Sequence, residues 1–288
     1  MVGPQTATVA SARPRPAALR ALGRDDPPQE IEVDRALYHR VEIFKHDSWA
    51  ATALYEGPAG RIVCKFNRRQ PLFGLPLAWL GRLLARREAH ILALLADLPN
   101  VPAPRGVVRV GGKRVENAVA HAYVAGRPLA QRDRVPDDFF PRLGRLLAEM
   151  HRRKMAYVDL HKAENILLGD DGQPYLIDFQ ISAVLGWRWP ADTAILRGLL
   201  TLLQRSDEYH FRKHVRHNRP DIYAEMPISQ KVGRPWWIRA HRMIAVPFRS
   251  LRRRLLAQLR VRDASGRAAS EHFAEDAIRR QKTADKAA

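Results

Sequence analysis

The chain has 288 residues, 46% of them hydrophobic and a single one cysteine. That size suits one large domain or two lobes around a shared cleft, and the apolar content excludes wholesale disorder. The lone Cys64 excludes an intramolecular disulfide and a cysteine-based zinc cluster. Lys and Arg number 49 against 30 Asp and Glu, a formal charge of +19; such a surface attracts polyanions without specifying which.

Residues 1–30 are rich in Pro, Ala and Arg, aperiodic, and lack the apolar core of a secretory signal. They predict a flexible tail. No uninterrupted run of about 18 apolar residues occurs, so no transmembrane helix is expected. A cytoplasmic chain, peripheral to a membrane in one reading, accommodates both points.

Residues 31–67 read as short strands: "IEVDRALYHRVEIFK", "ATALYEG" and "RIVCKFN", with "EGPAG" as a turn. In the third, Ile62, Cys64 and Phe66 alternate with Val63 and Lys65; Cys64 there reads as a small buried hydrophobe. From 71 to 98 the chain becomes helical, with Leu84, Glu88, Ile91 and Leu95 on one face. "GVVRVGGKRVENAVAHAYVAGRPL" predicts two apolar strands around a Gly-Gly turn. A second helix follows from Pro136 to about Lys154, striped by Phe140, Leu143, Leu147 and Met150. Beyond Trp189 the pattern is mainly helical to about 262. The expected organisation is α+β: a tail (1–30), a β-rich N-terminal lobe (31–125), an α-rich lobe with a basic C-terminal region (126–262) and a polar tail (263–288).

Five polar residues stand in an order that suits phosphoryl transfer, which needs positioning and charge neutralisation more than covalent chemistry. Lys65 lies on a strand, and Glu88 lies within the apolar stripe of the next helix, a costly place for a carboxylate without a cation. Asp159 follows the second helix. Asn165 and Asp178 flank "NILLGDDGQPYLID", a predicted hairpin that brings an amide and a carboxylate together, both suitable oxygen donors for Mg²⁺.

This set resembles the protein-kinase-like superfamily over about residues 40–215. "VCK" is similar to the strand-three lysine motif, "RREAHIL" to the C-helix glutamate, "YVDLHKAEN" to the catalytic loop and "IDFQ" to the D-F-G metal motif. The resemblance implies a two-lobed kinase-like fold that uses ATP and Mg²⁺. Lys65, held by Glu88, would contact the α and β phosphates, Asn165 and Asp178 would bind Mg²⁺, and Asp159 would serve the acceptor hydroxyl.

There are departures. "FKHDSWAATALYEG" has no glycine where the phosphate-covering loop belongs, Gln180 replaces the Gly of D-F-G, and no A-P-E signature follows. Asp159 precedes Asn165 by six positions rather than five. Either the loop bulges and Asp159 keeps its place, or Asp159 is displaced. The short segment after Asp178 resembles compact bacterial lipopolysaccharide (Kdo or heptose) kinases and RIO-like kinases, implying a sugar hydroxyl on a lipid-linked glycan as acceptor. An atypical Ser/Thr kinase and a pseudokinase scaffold are the alternatives; nucleic acid is not an expected partner.

Four further features lie outside this set. His161 and Lys162 sit in the Asp159 loop, facing either a transferred phosphate or solvent. Asp207, His210 and His214 have helical spacing for a metal, but no H-E-x-x-H accompanies them and a basic helix face is preferred. "PLFGLPLAWLGRLL" carries apolar residues that suit a contact surface. Residues 227–262 hold ten Lys and Arg, no acid, Trp236 and Trp237, and a Phe248, Leu251, Leu255, Leu259 stripe. They suit an interfacial helix on anionic lipid or a helix packed on the large lobe.

Overall fold

The computed structural model describes residues 17–71, 74–185 and 193–227. The chain opens with four antiparallel strands, β1 (Glu30–Val33), β2 (Ala36–His46), β3 (Ala50–Gly57) and β4 (Gly60–Asn67). Helix α1 (Ala78–Leu94) follows, then β5 (Arg109–Val110), β6 (Lys113–Arg114) and β7 (Ala118–Ala122). These strands form one antiparallel sheet in the order β6-β5-β1-β2-β3-β4-β7. The sheet curls because residues 103–110 meet both of its sides. Ala122 N–H donates to Ala103 O and Arg105 N–H to Ala120 O, while Arg109 of β5 pairs with Glu32 of β1.

The expected Gly-Gly turn joins only the two-residue strands β5 and β6, with Gly111 and Gly112 at φ 53° and 75°. Two left-handed residues are what a twisted two-residue hairpin requires. The second apolar strand, β7, instead pairs with β4.

The second half contains β8 (Gly126–Pro128), α2 (Phe139–Arg152), β9 (Met155–Ala156), β10 (Ile166–Gly169), β11 (Pro174–Leu176), β12 (Ala183–Val184), α3 (Ala194–Asn218) and α4 (Pro220–Glu225). Strands β11, β10 and β8 form one small sheet, and β12 pairs with β9. The α2 stripe Phe140, Leu143, Leu147 and Met150 is fully buried, as its period predicts. The architecture is mixed α+β: a curled antiparallel sheet with one helix, followed by a mainly helical half that carries two small sheets.

Two apolar cores hold it. One lies within the curled sheet around Tyr38, Tyr55, Ile62, Cys64 and Phe66. Burial pushes the Cys64 thiol up, so it stays a neutral core group. The other centres on α2 and includes Ile91, Leu92 and Leu95, so α1 docks the sheet half onto the helical half. The tail expected over residues 1–30 is folded from Ala17 onward. A 3₁₀ turn spans Ala17–Leu19, Ala21 and Leu22 are buried, and Ala21 exchanges backbone bonds with Asp47 and Arg69. The basic stretch 227–262 lies outside the described residues from 228 on. No helix among the described residues is long and apolar enough to cross a membrane.

Helix α1 crosses the end of β4 closely at Gly81, where an added Cβ would stand 2.0 Å from the Arg68 carbonyl oxygen. In an open helical site Gly→Ala would stabilise by about 1 kcal/mol. Here overpacking against backbone outweighs that gain, and Gly81→Ala is expected to destabilise by about 1–3 kcal/mol in urea denaturation. An unchanged or higher midpoint would contradict the close approach.

Candidate active site

Strand β4 is covered on both faces, so Lys65 points from it into the junction of the two halves and is nearly inaccessible. Its ammonium lies 2.7 Å from Asp178 Oδ1 and 3.1 Å from Glu88 Oε2. Glu88 comes from the buried face of α1, and Asp178 from the turn after β11. A buried cation is tolerable only with such partners. Burial disfavours the Lys65 ammonium, but Asp178 and Glu88 override it and hold its pKa above the ordinary value. Burial pushes the Glu88 carboxyl up, with Lys65 opposing. Asp178 keeps 36% of its side chain exposed. Crowding around its carboxyl would raise the pKa; Lys65, then Lys162 and Lys45, override this and lower it to about 2.

The Asp159 loop is fastened from below. Asp207, fully buried on α3, accepts N–H bonds from Tyr157 at 2.7 Å and Val158 at 2.8 Å, and lies 3.3 Å from His151 Nε2. One helical turn pair further on, His214 Nε2–H donates to Leu160 O at 2.7 Å. Between these fixings Val158 sits at φ 72°, a costly conformation for a β-branched residue that persists because its surroundings over-determine it.

Residues Ala163–Asn165 wind into a 3₁₀ turn. Asn165 Nδ2 still donates to Asp159 Oδ2 at 2.9 Å, and Lys162 Nζ donates to the same oxygen at 2.7 Å. Asp159 is nearly inaccessible; its Oδ1 lies 3.2 Å from His161 Nδ1 but accepts no aligned hydrogen bond among the described residues. Next, β10 and β11 pair in register, Ile166 with Leu176, and Ile177 N–H donates to Asn165 O. The predicted hairpin therefore forms, with Asn165 and Asp178 at its open end. Asp178 takes φ 61° there.

Asn165 spends its amide nitrogen on Asp159, which leaves its amide oxygen; Asp178 spends Oδ1 on Lys65, which leaves Oδ2. One amide and one carboxylate oxygen fit a magnesium ion that takes its remaining ligands from phosphates and water. No group of three or more His, Cys, Asp and Glu that could hold a metal exists among the described residues. Asp207 and His214 fasten the loop through the bonds described above.

Between β2 and β3, where a glycine-rich cover is absent, Asp47 folds a tight turn by accepting from Trp49 and Ala50 N–H. Buried Arg68 clamps it through Ser48 O at 2.6 Å. Lys45, 2.8 Å from Asp47, is among the cations that hold Asp178 down. Gln180 donates to Asn67 Oδ1 at 2.7 Å, tying the residues after Asp178 to the end of β4. Leu75, before α1, and Trp79, in its first turn, are exposed.

All five expected residues therefore meet in two contiguous clusters: Lys65 with Glu88 and Asp178, and Asp159 with Asn165. Sequence reasoning missed Asp207 as the loop's support, although its seven-residue spacing from Leu200 and His214 places it on one buried helix face. Lys45 carries no pattern that would have separated it from surface residues, whereas Lys162 reads only as facing a phosphate or solvent and Gln180 only as a departure from D-F-G.

No family model matches the chain, and no curated protein matches it. A solved structure, the Rio2 kinase–ADP/Mg²⁺–phosphoaspartate complex from Chaetomium thermophilum, is similar at a TM-score of 0.49 and 16% identity. The match covers 65% of this chain and 58% of that one. So loose a match carries no functional weight.

Asp207→Ala is expected to destabilise by on the order of 3 kcal/mol, since two buried backbone N–H groups lose their acceptor. Denaturant unfolding checks this; a loss under 1 kcal/mol would contradict the support role. The Asp178 carboxyl sits below its ordinary 3.8 in the folded chain, so its contribution to stability is present above about pH 4 and is lost as pH falls toward 2. Removing the ammonium by Lys65→Met is expected to move proton uptake by the Asp178–Glu88 pair above pH 4. Carboxyl ¹³C titration reads this directly, and an unshifted Asp178 would refute the coupling.

Proposed function

We propose that the chain is an ATP- and Mg²⁺-dependent phosphotransferase acting on a hydroxyl acceptor. The observation that carries this reading is the Lys65 ammonium held between Glu88 and Asp178, beside a fastened loop that presents Asp159. In this reading Lys65, steadied by Glu88, turns from Asp178 to the α and β phosphates of ATP. Asn165 and Asp178 would hold Mg²⁺, which would neutralise charge on the transferring phosphoryl group. Asp159 Oδ1 accepts the proton of the attacking hydroxyl as the new O–P bond forms and the bond to the ADP oxygen breaks. Lys162, on the other oxygen of Asp159, supplies a cation to the transferred group.

The acceptor we favour is a sugar hydroxyl of a lipopolysaccharide-like or other lipid-linked glycan, approached at an anionic membrane face from the cytoplasm. The +19 charge supports that setting. So does the brevity of the segment between Asp178 and Thr193, the N-cap of α3 fifteen positions later, which leaves little chain to dock a peptide. A nucleotide-binding scaffold without turnover is the second reading, favoured by the glycine-free turn at Asp47.

Radiolabelled ATP transfer with purified protein tests the two. We expect Mg²⁺-dependent transfer into lipid-glycan extract, reduced at least 10²-fold by Lys65→Ala, Asp159→Ala or Asp178→Ala. Nucleotide binding with no transfer to glycan, protein or water would select the scaffold. Absence of nucleotide binding would reject both.

A further inference from the structure

The loop leading from β8 to α2 and the C-terminal end of α3 line an open pocket of about 670 Å³, with Arg132, Arg134 and Arg216 exposed at its surface. Its charge is lopsided. Asp133 is used within its own loop, accepting from Arg127 and from Ala130 N–H. Asp137 pairs with Arg219, which also grips Asp221. Arg132, Arg134 and Arg216 line the same pocket, and among the described residues no carboxylate pairs with any of them. His217 stands with them; burial, then Arg216, Lys213 and Arg132, push its pKa down, which reports how closely these cations gather.

The arrangement is fixed before any ligand arrives. Asn218 Oδ1 accepts from Asp133 N–H at 2.9 Å while its Nδ2 donates to His214 O at 3.1 Å. The loop bearing Arg132 and Arg134 is thereby fastened to the helical turn bearing Arg216 and His217. Arg132 itself is held at φ 62°, an uncommon conformation for a residue with a side chain. Both walls also lead back to the Asp159 loop. His214 bonds Leu160, the residue after Asp159, and Arg216 follows His214 by only about 3 Å of helix rise. The other wall leaves from β8, where Leu129 N–H donates to Ile166 O, next to Asn165.

We propose that this pocket is an acceptor-anchoring site that takes a phosphomonoester of sugar-phosphate size, its oxyanion held among Arg132, Arg134 and Arg216. Guanidinium forks match phosphate oxygens two at a time, and this volume falls in the range of small-ligand sites, unlike a groove for duplex nucleic acid. The acceptor would then already carry one phosphate when its hydroxyl meets Asp159. That assignment to the acceptor rests on the phosphotransferase reading; the affinity for the anion does not.

Calorimetric titration of the full chain, saturated with ADP and Mg²⁺, tests the site with glucose 6-phosphate as probe and glucose as control. We expect binding of the phosphate ester alone. The triple substitution Arg132→Ala, Arg134→Ala, Arg216→Ala should weaken it at least tenfold and leave ADP affinity within twofold. Arg216→Glu alone should do the same if the triple variant fails to fold, and Arg114→Ala, on the exposed β6 strand, should change neither. No binding to the parent, equal binding to the variants, or equal loss with Arg114→Ala would overturn the proposal. So would displacement by a short RNA at lower phosphate concentration than the sugar ester, which would give the pocket to nucleic acid. Sugar-phosphate binding by a parent that binds no ADP would refute the acceptor assignment and leave the anion site standing.

Discussion

One buried ammonium fixes the relation between the two halves of this protein. Lys65 belongs to the curled sheet, Glu88 to the helix that bridges the cores, and Asp178 to the small sheet of the helical half. Each charge alone would be expensive to bury. Together they set where β4, α1 and the turn after β11 stand relative to one another. Asn67 and Gln180 add a neutral tie across the same seam. In the proposed phosphotransferase, anionic phosphates would replace Asp178 at Lys65 and free its carboxylate to hold Mg²⁺.

A second constraint acts through Asp207. Its two backbone acceptor bonds hold Tyr157 and Val158 in place, and Val158 between them keeps a left-handed backbone just before Asp159. Within the longer spacing of "DLHKAEN" a 3₁₀ turn spans Ala163–Asn165 and Asn165 Nδ2 donates to Asp159 Oδ2.

What the sequence disclosed was governed by short-range periodicity. The alternation of Ile62, Cys64 and Phe66, the α2 stripe and the hairpin between Asn165 and Asp178 all follow from local pattern and turn chemistry. Glu88 was legible because a carboxylate in an apolar stripe demands a cation. Closure of the sheet by residues 103–110 was not, because it depends on backbone bonds to strands far away in sequence. Asp207 read as part of a basic helix face, and only its bonds to Tyr157 and Val158 show that it supports the loop. Residues 17–29 looked like tail because their few apolar side chains have no period, yet Ala21 and Leu22 fill the sheet's rim. The arginine pocket joins residues more than 80 positions apart, and no sequence window contains both walls.

The central claim is that Lys65, Asn165 and Asp178 form a nucleotide–metal site. Calorimetric titration of ADP with and without Mg²⁺ tests it most directly. The account predicts binding that Mg²⁺ strengthens at least tenfold in the parent and does not strengthen in Asp178→Asn. Binding that is indifferent to Mg²⁺, or equally Mg²⁺-dependent in that variant, would contradict it.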